Sequence, residues 1–132
     1  ITWRGWQNNM RCIIAGCRSF EDYDRLSKVL LRLFSRSMPD EIVCGMGRGA
    51  DLLGKRWAME HRIPIHKFPA DWVRFGKSAG PKRNQQMADH ATHLVAFWDG
   101  RSSGTKDMID RATTAGLQIR IVDISPSSIK TT

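Results

Sequence analysis

Three glycines at alternate positions stand between an apolar run and a helical pattern in the stretch VCGMGRGADLLGKRWA. They are Gly45, Gly47 and Gly49, and Arg48 lies among them. Glycine lets the backbone adopt positive φ and approach a ligand closely. A helix that begins just after Gly49 would add unpaired N–H groups and the positive end of its dipole. The stretch therefore predicts a loop that binds an anion.

A second segment of the same design precedes another helical pattern, near residue 105. Ser102, Ser103, Gly104 and Thr105 supply hydroxyl groups and a small turn, which suits a phosphate or a ribose. Two such loops on one edge of a sheet favour a single elongated, phosphorylated ligand. In the alternative interpretation, each glycine only makes a tight turn.

Basic and aromatic side chains are interleaved in the stretch ADWVRFGKSAGPKRNQQM. Basic groups beside aromatic faces can pair with phosphates and stack on a base. The alternative is a solvated, charged loop. The residues concerned are Trp72, Arg74, Phe75, Lys77, Lys82 and Arg83.

Apolar runs of strand length alternate with amphipathic helical patterns along most of the chain. Strands are predicted at residues 11–17, 41–44, 63–68, 92–98 and 117–123, and helices after a capping box at Ser19 and Asp22, at residues 50–61, from about Pro81, and at residues 105–115. This alternation predicts an α/β fold, with a Rossmann-like, doubly wound, mostly parallel five-stranded sheet and helices on both faces. Ligands of such sheets bind beyond the carboxyl ends of the strands. That edge collects the loops at residues 16–19, 45–49, 69–80 and 99–105.

Two familiar phosphate-binding patterns are matched only weakly. Gly45, Gly47 and Ala50 satisfy G-x-G-x-x-A, and Asp71 follows about 20 residues later, as in a dinucleotide site. However, this loop follows the second predicted strand rather than the first, so a plain NAD site is weakly supported. The GKS at residues 76–78 lacks the first glycine and the preceding strand of a P-loop.

Composition limits the class of protein. The chain of 132 residues fits one domain, and no apolar run approaches the roughly 20 residues needed to cross a bilayer. We therefore expect a cytoplasmic protein with no membrane partner. The three cysteines lack metal-ligand spacing and the histidines lack a visible partner, so neither a disulfide nor a metal site is predicted, and no cofactor is expected. The net charge of +8 implies attraction to an anionic partner without specifying it.

Four motifs in order along the chain resemble a known family: RCIIAGCRSF, VCGMGRGADLLGKRWA, FPADWVRFGKSAGPKRNQQM and AFWDGRSSGTKDMIDRA. Together they resemble the YspA/YpsA-related branch of the SLOG superfamily, a group of small Rossmann-like proteins. This superfamily includes the Lonely Guy phosphoribohydrolases and the DNA-processing proteins of natural transformation. The resemblance runs from Met10 to about Asp123 and implies a nucleotide or nucleotide-derived ligand.

The motifs of the Lonely Guy enzymes are matched only in part. Arg83 to Met87 resembles their R-K-x-x-M helix and keeps the arginine, which serves hydrolysis of an N-glycosidic bond. The segment around Gly104 resembles their P-G-G-x-G-T-x-x-E loop, but Met108 stands where the catalytic glutamate would be. Methionine cannot act as a general base. Asp107 is one position away, turned by about 100° around the helix.

We therefore predict a domain that binds a nucleotide, a nucleotide sugar or an ADP-ribose type of ligand. It would act as a sensor or as a weak hydrolase of an N-glycosidic or phosphoester bond. In a hydrolase, Arg83 and Arg18 would hold phosphate, and Asp99 or Asp71 would handle the proton. The predicted ligand-binding residues are Gly16, Arg18, Ser19, Gly45, Gly47, Arg48, Gly49, Asp51, Trp72, Lys77, Arg83, Asn84, Ser103, Gly104 and Thr105.

The glycine-rich motif also supports an alternative function. GMGRGAD resembles the phosphate loop of the DNA-processing proteins, and with the basic charge it supports a single-stranded nucleic-acid-binding protein.

Residues 10–124 are predicted to form the domain, with a C-terminal tail at residues 125–132. Residues 1–9 are predicted to be an upstream extension or a cloning remnant outside the fold. A homodimer is compatible with the family resemblance and with the apolar helix surfaces.

Overall fold

Strands and helices alternate throughout the part of the chain that the computed structural model describes, which is Trp3 and residues 9–126. The elements in this part are β1 (Arg11–Gly16), α1 (Tyr23–Leu33), β2 (Glu41–Cys44), α2 (Ala50–Glu60), β3 (Ile65–Lys67), α3 (Trp72–Phe75), a 3-10 turn (Gly76–Ser78), α4 (Ala79–His90), β4 (His93–Trp98), α5 (Ser103–Ala115) and β5 (Gln118–Asp123). Most of the predicted N-terminal extension and C-terminal tail lies outside the described residues.

The described strands form one sheet in the order β3-β2-β1-β4-β5, and every neighbouring pair is parallel. The chain reverses its direction of winding between β1 and β4, which are adjacent in the sheet although they are distant in sequence. The predicted Rossmann-like, doubly wound fold is therefore confirmed. In such a sheet the carboxyl ends of β1 and β4 diverge into loops on opposite faces, which leaves a crevice between them.

Side chains of the central strands alternate between two apolar layers, because successive residues of a strand point to opposite faces. Ile14 and Phe97 pack with α1 and α2, through residues such as Leu26 and Trp57. Ile13, Ala15, Val43, Leu94 and Ala96 pack on the other face with Met87 of α4 and Met108 of α5. Helices thus cover both faces of the sheet, as the alternating strands and helices predict.

The start of α1 differs from the predicted capping box. The helix begins at Tyr23, and the Asp22 side chain caps it by accepting a hydrogen bond of 3.0 Å from the Arg25 backbone N–H. Ser19 instead stays in the loop after β1 and is exposed. The prediction that Ser19 caps the helix was wrong, because Asp22 offers the same type of acceptor directly before the apolar pattern begins.

The predicted loop at residues 69–80 contains helical structure. Asp71 caps the short helix α3 by accepting a hydrogen bond of 3.1 Å from the Arg74 backbone N–H. The 3-10 turn follows, and α4 begins at Ala79, so that Pro81 lies in its first turn. The basic and aromatic side chains of this segment, such as Trp72 and Lys77, therefore lie on helical turns and not on an irregular loop.

Trp3 packs into the core, although residues 1–9 were predicted to lie outside the fold. Its side chain is buried, with ring centroids 4.7 Å from His93 and 6.0 Å from Phe34. Its backbone N–H donates to the Leu33 carbonyl at 3.0 Å. Cys12, Cys17 and Cys44 are buried, free thiols. Within the described residues, the structure has no helix of the length and apolar character that crossing a membrane requires.

Candidate functional site

A cleft of about 1060 Å³ opens at the carboxyl edge of the sheet, where the loops after β1, β2 and β4 meet α3 and the start of α4. We call it the carboxyl-edge cleft. It is lined by Ala15, Gly16, Cys17, Arg18, Ser19, Gly45, Met46, Gly47, Arg48, Asp51, Pro69, Ala70, Trp72, Lys77, Gly80, Pro81, Arg83, Asn84, Met87, Ser102, Ser103, Gly104, Thr105, Asp107 and Met108. This is the position at which doubly wound sheets bind their ligands.

All but one of the predicted ligand-binding residues line the carboxyl-edge cleft, and the exception is Gly49. Gly49 stands directly before α2 with a φ of 76°. A Cβ atom there would lie 2.2 Å from the Cys17 carbonyl oxygen, and the neighbouring Ala50 N–H donates to the same oxygen at 3.3 Å. Gly49 therefore serves the close packing of α2 against the loop after β1, and not the surface of the cleft.

The other two glycines of the motif leave room for Asp51, which lies behind the loop. A Cβ atom at Gly45 or at Gly47 would approach the Asp51 Oδ2 atom to 3.0 Å. At Gly45 the same Cβ would also come within 2.8 Å of the Arg83 guanidinium. The Gly47 backbone N–H donates to Asp51 Oδ2 at 3.1 Å. The glycines thus bring the backbone against a buried acid and a basic side chain.

The buried Asp51 carboxyl has a perturbed pKa. Desolvation raises this pKa to about 6, against the opposing effects of the nearby Arg83 guanidinium and of backbone hydrogen bonds from Gly47 and Gly16. The Asp51 residue is only 9% exposed. A carboxyl that titrates at this pH within a cleft can either exchange a proton with a ligand or hold the loop around it.

A chain of hydrogen bonds links α4 to α5 across the floor of the carboxyl-edge cleft. Arg83 donates to the Gly45 carbonyl and, through Nε at 2.9 Å, to Asn84 Oδ1. The Asn84 amide then donates to Asp107 Oδ2 at 2.9 Å, and Arg111 Nε donates to the same oxygen at 2.9 Å. Arg83 is thereby held in a fixed position beside the glycine loop.

Asp107 is a cleft residue that the sequence analysis did not choose. It follows Ser103 by four positions and Gly104 by three in α5, and residues at these spacings share one face of a helix. That periodicity could have identified it. Met108, at the position of the Lonely Guy glutamate, is only 1% exposed and packs in the apolar layer with Met87.

The structure does not bring Asp99 and Asp71 into the lining of the carboxyl-edge cleft. Asp99 Oδ1 accepts hydrogen bonds of 2.8 Å from the backbone N–H groups of Arg101 and Ser102, and Ser102 Oγ donates to Oδ2. These hydrogen bonds lower the pKa of Asp99 to about 2. Asp71 caps α3. Both carboxylates have a local structural role that accounts for their position at a turn or helix start.

Positive charge and helix N-termini face the same space. The carboxyl-edge cleft is lined by four basic residues, Arg18, Arg48, Lys77 and Arg83. Among the described residues, its lining has two acidic ones, Asp51 and Asp107. At the start of α5, the Ser102 cap makes no side-chain hydrogen bond to the helix, so the N–H groups of the first turn remain open to an anion. The arrangement can hold a group with more than one negative charge.

An aromatic side chain lies at the rim. Trp72 of α3 is 49% exposed, and its ring lies 3.3 Å from the position that a Cβ of Gly80 would occupy. Gly80 therefore leaves room for the indole. The exposed face of the ring is available for stacking against a planar group such as a base.

Three potential metal ligands meet elsewhere in the fold, although the sequence analysis predicted no metal site. One ligand atom from each of Glu41, His66 and His90 lies within 4.8 Å of the others. These residues are far apart in sequence, so their spacing carries no metal-binding signature. Only the pairing of β2 with β3 and the packing of α4 bring them together.

Comparisons with known proteins agree with this architecture. The family model YAcAr, described as the YspA, cpYpsA-related SLOG family, matches residues 10–75. No curated protein matches the sequence. Among solved structures, the fold is similar to that of DNA processing protein A (DprA) from Streptococcus pneumoniae, with a TM-score of 0.69 and 14% sequence identity. The match covers 89% of this chain and 51% of that chain, so this chain spans about half the length of the solved protein.

Proposed function

The chain belongs to the YspA, cpYpsA-related SLOG family, and on that premise we propose that it binds a nucleotide or a nucleotide-derived ligand in the carboxyl-edge cleft. One observation carries the proposal, namely that the glycine loop after β2 and the hydroxyl-rich loop after β4 open into the same cleft. Both loops lead into helix N-termini, where N–H groups and the helix dipole favour phosphate.

The charges of the cleft fit a phosphorylated ligand. Arg18 and Arg48 lie on the loops after β1 and β2, and both residues are exposed at the cleft. They can donate to phosphate oxygens without displacing an existing ion pair, because neither arginine forms one within the described part of the chain. We assign the phosphate to the space between these arginines and the first turn of α5.

The rest of the cleft fits a nucleoside. The cleft volume of about 1060 Å³ lies just above the range of about 300–1,000 Å³ that is usual for small-molecule sites. That is ample for an elongated ligand such as a nucleotide sugar or ADP-ribose. We assign the base to the exposed face of Trp72 and the ribose to the hydroxyl groups of Ser103 and Thr105.

We propose binding without efficient hydrolysis, as in a sensor. Met108 leaves no proton acceptor at the position of the Lonely Guy glutamate. Asp107 accepts hydrogen bonds from Asn84 and Arg111, so these two neighbours already occupy its Oδ2 atom. Asp51 is the cleft carboxyl with a pKa near neutrality, so any residual hydrolysis would rely on it as the acid or base.

Calorimetry with AMP, ADP, ADP-ribose and UDP-glucose tests the proposal. The test variant is Arg48→Ala in the cleft, and the control is Arg120→Ala, which removes the same charge from an exposed position on β5. We expect saturable binding of at least one compound, weakened about 10- to 100-fold by Arg48→Ala, because a charge-assisted hydrogen bond contributes about 1.5–3 kcal/mol. Arg120→Ala should change the affinity less than about twofold. Equal losses in both variants would contradict the cleft assignment.

A second candidate function is binding of single-stranded nucleic acid. It is favoured by the net charge of +8 and by the exposed aromatic residues Trp72 and Phe75, which alternate with basic side chains such as Arg74 and Lys82. The Lys82 ammonium and the Arg74 guanidinium lie 4.8 and 5.0 Å from the Phe75 ring centroid. Stacking platforms of this kind accept single strands with little sequence preference. Salt dependence distinguishes this candidate from the first.

A further inference from the structure

The cluster of Glu41, His66 and His90 lies at the opposite end of the sheet from the carboxyl-edge cleft. Glu41 is the first residue of β2, and His66 of β3 pairs with Val43, two positions further along β2. Residues two apart in a strand share a face, so Glu41 and His66 lie on the same face of the sheet. His90 is the last residue of α4, which packs on that face through Met87.

A nitrogen of each histidine lies close to the same Glu41 oxygen. His66 Nδ1 lies 3.6 Å from Glu41 Oε1, and His90 Nε2 makes a hydrogen bond with the same oxygen. Two ligands of a tetrahedral Zn²⁺ ion are about 3.4 Å apart, given metal–ligand distances of about 2.0–2.1 Å. A metal ion would therefore need only a small separation of the His90 ring from the carboxylate.

We propose that Glu41, His66 and His90 form a binding site for Zn²⁺, with water in the remaining coordination position. Two imidazole nitrogens and one carboxylate oxygen form a donor set that Zn²⁺ uses elsewhere, whereas Mg²⁺ and Ca²⁺ prefer oxygen ligands throughout. The side chains are 24%, 46% and 30% exposed in the order named, so an ion can reach them from solvent.

The surroundings hold the imidazoles in place. The His66 ring stacks on Phe68, with centroids 4.5 Å apart and planes inclined by 8°. Arg11 Nε donates to the His90 carbonyl at 2.6 Å, which fixes the end of α4 against β1. These contacts limit the movement of the His66 ring and of the end of α4 that carries His90.

Zn²⁺ at this site would connect three elements that are separate in sequence. It would join β2, β3 and the end of α4, and Arg83 of the carboxyl-edge cleft lies two turns earlier in the same helix. A bound Zn²⁺ ion would thus hold the C-terminal end of α4 in place, whereas the proposed nucleotide site lies near the start of this helix. The Zn²⁺ site is independent of the proposed nucleotide function, which rests on other residues.

Calorimetric titration of Zn²⁺ into the tag-free chain at neutral pH tests the site. The variants are His66→Ala, His90→Ala and Glu41→Gln, and His61→Gln is the control, because His61 lies outside the cluster and bonds the Trp57 carbonyl. We expect one Zn²⁺ per chain, at least about tenfold weaker binding in each ligand variant, and less than about a twofold change in the control. Mg²⁺ should give no saturable binding.

Two further measurements distinguish loss of metal binding from loss of folding. A Zn²⁺ concentration of about one hundred times Kd should raise the Tm of the wild-type chain by about 10 °C, and EDTA should reverse the rise. Circular dichroism of metal-free His66→Ala should match that of the wild type, since the side chain is 46% exposed. Failure of the folded wild type to bind Zn²⁺, or equal affinity in wild type and His66→Ala, would overturn the proposal and leave a hydrogen-bonded cluster only.

Discussion

The Asp51 carboxylate and the Gly47 backbone amide are joined by a hydrogen bond of 3.1 Å, which holds the glycine loop from its buried side. Asp51 lies in the first turn of α2, so one residue connects the loop to the start of the helix. In the motif GMGRGAD, the absence of side chains at Gly45 and Gly47 therefore leaves room for the Asp51 carboxyl group. Both the missing side chains and the carboxyl group have consequences that can be measured.

Replacing Asp51 by Asn should change how stability depends on pH. Burial raises the pKa of Asp51 from 3.8 to about 6, so the native state holds this proton more tightly than the unfolded state does. The resulting stability is fully present below the unfolded pKa and is lost as the pH rises through the native pKa. The free energy of unfolding of the wild type, relative to Asp51→Asn, should fall by about 2 kcal/mol between about pH 4 and pH 7.

Urea unfolding of both proteins across that range measures the effect, with Asp89→Asn as the control because Asp89 is an exposed carboxylate on α4. The difference between wild type and Asp89→Asn should stay nearly constant over the same pH range. A constant difference between wild type and Asp51→Asn would show that Asp51 does not titrate abnormally in the native protein.

Gly47→Val should abolish nucleotide binding with a modest loss of stability. The new Cβ would lie 3.0 Å from Asp51 Oδ2, and its methyl groups would fill the part of the carboxyl-edge cleft that Gly47 lines. We expect a stability loss of about 1–2 kcal/mol from this crowding. Calorimetry with the tightest-binding nucleotide measures affinity, and urea unfolding measures stability.

Gly116→Ala is the matched control for Gly47→Val. Gly116 ends α5 with a φ of 82° and does not line the carboxyl-edge cleft, so alanine there costs about 1–2 kcal/mol through backbone strain alone. Its nucleotide affinity should equal that of the wild type. Retained affinity in a folded Gly47→Val variant would remove this loop from the binding site.

Salt dependence should separate a nucleotide site from a nucleic-acid surface. A protein that neutralises about 6–10 phosphates loses about a thousandfold or more in affinity between about 50 and 200 mM salt, whereas one nucleotide changes far less. We expect weak, salt-sensitive binding of a single-stranded oligonucleotide that the nucleotide competes away, measured by fluorescence anisotropy. Tight oligonucleotide binding at physiological salt, unaffected by nucleotides, would instead establish the second candidate function.

Met108→Glu should destabilise the protein without creating a hydrolase. The side chain is 1% exposed and packs among apolar residues, so a carboxylate there would be desolvated at a cost of about 3 kcal/mol or more. Met108→Leu should cost less than about 1.5 kcal/mol. Chromatography should detect no free base after incubation of nucleoside monophosphates with either variant or with the wild type. Robust release of base by the wild type would contradict the sensor role.

The sequence by itself determined the order of elements and most of the residues around the carboxyl-edge cleft. Alternating apolar runs and helical patterns fix the strands, and parallel strands place all their carboxyl ends at one edge. The loops at Gly45–Gly47 and at Ser103–Thr105 therefore had to open on that edge, whatever the details of packing. Arg18, Trp72 and Arg83 could be identified for the same reason.

For the acidic residues other than Asp51, only the tertiary structure decided which of them lie in the cleft. Asp99 and Asp71 are at the correct edge in sequence, but local backbone N–H groups bind their carboxylates, because short acidic side chains satisfy turns and helix starts. Asp107 shares a helix face with Ser103 and Gly104, and the packing of α5 on α4 turns that face towards the cleft.

The cluster of Glu41, His66 and His90 shows the same limit. Each residue has an ordinary sequence environment, and the sequence analysis treated both histidines as residues without a partner. Their meeting depends on the register of β2 with β3 and on where α4 ends over the sheet. Sequence patterns report the periodicity within an element, whereas contacts between distant elements depend on how their faces pack.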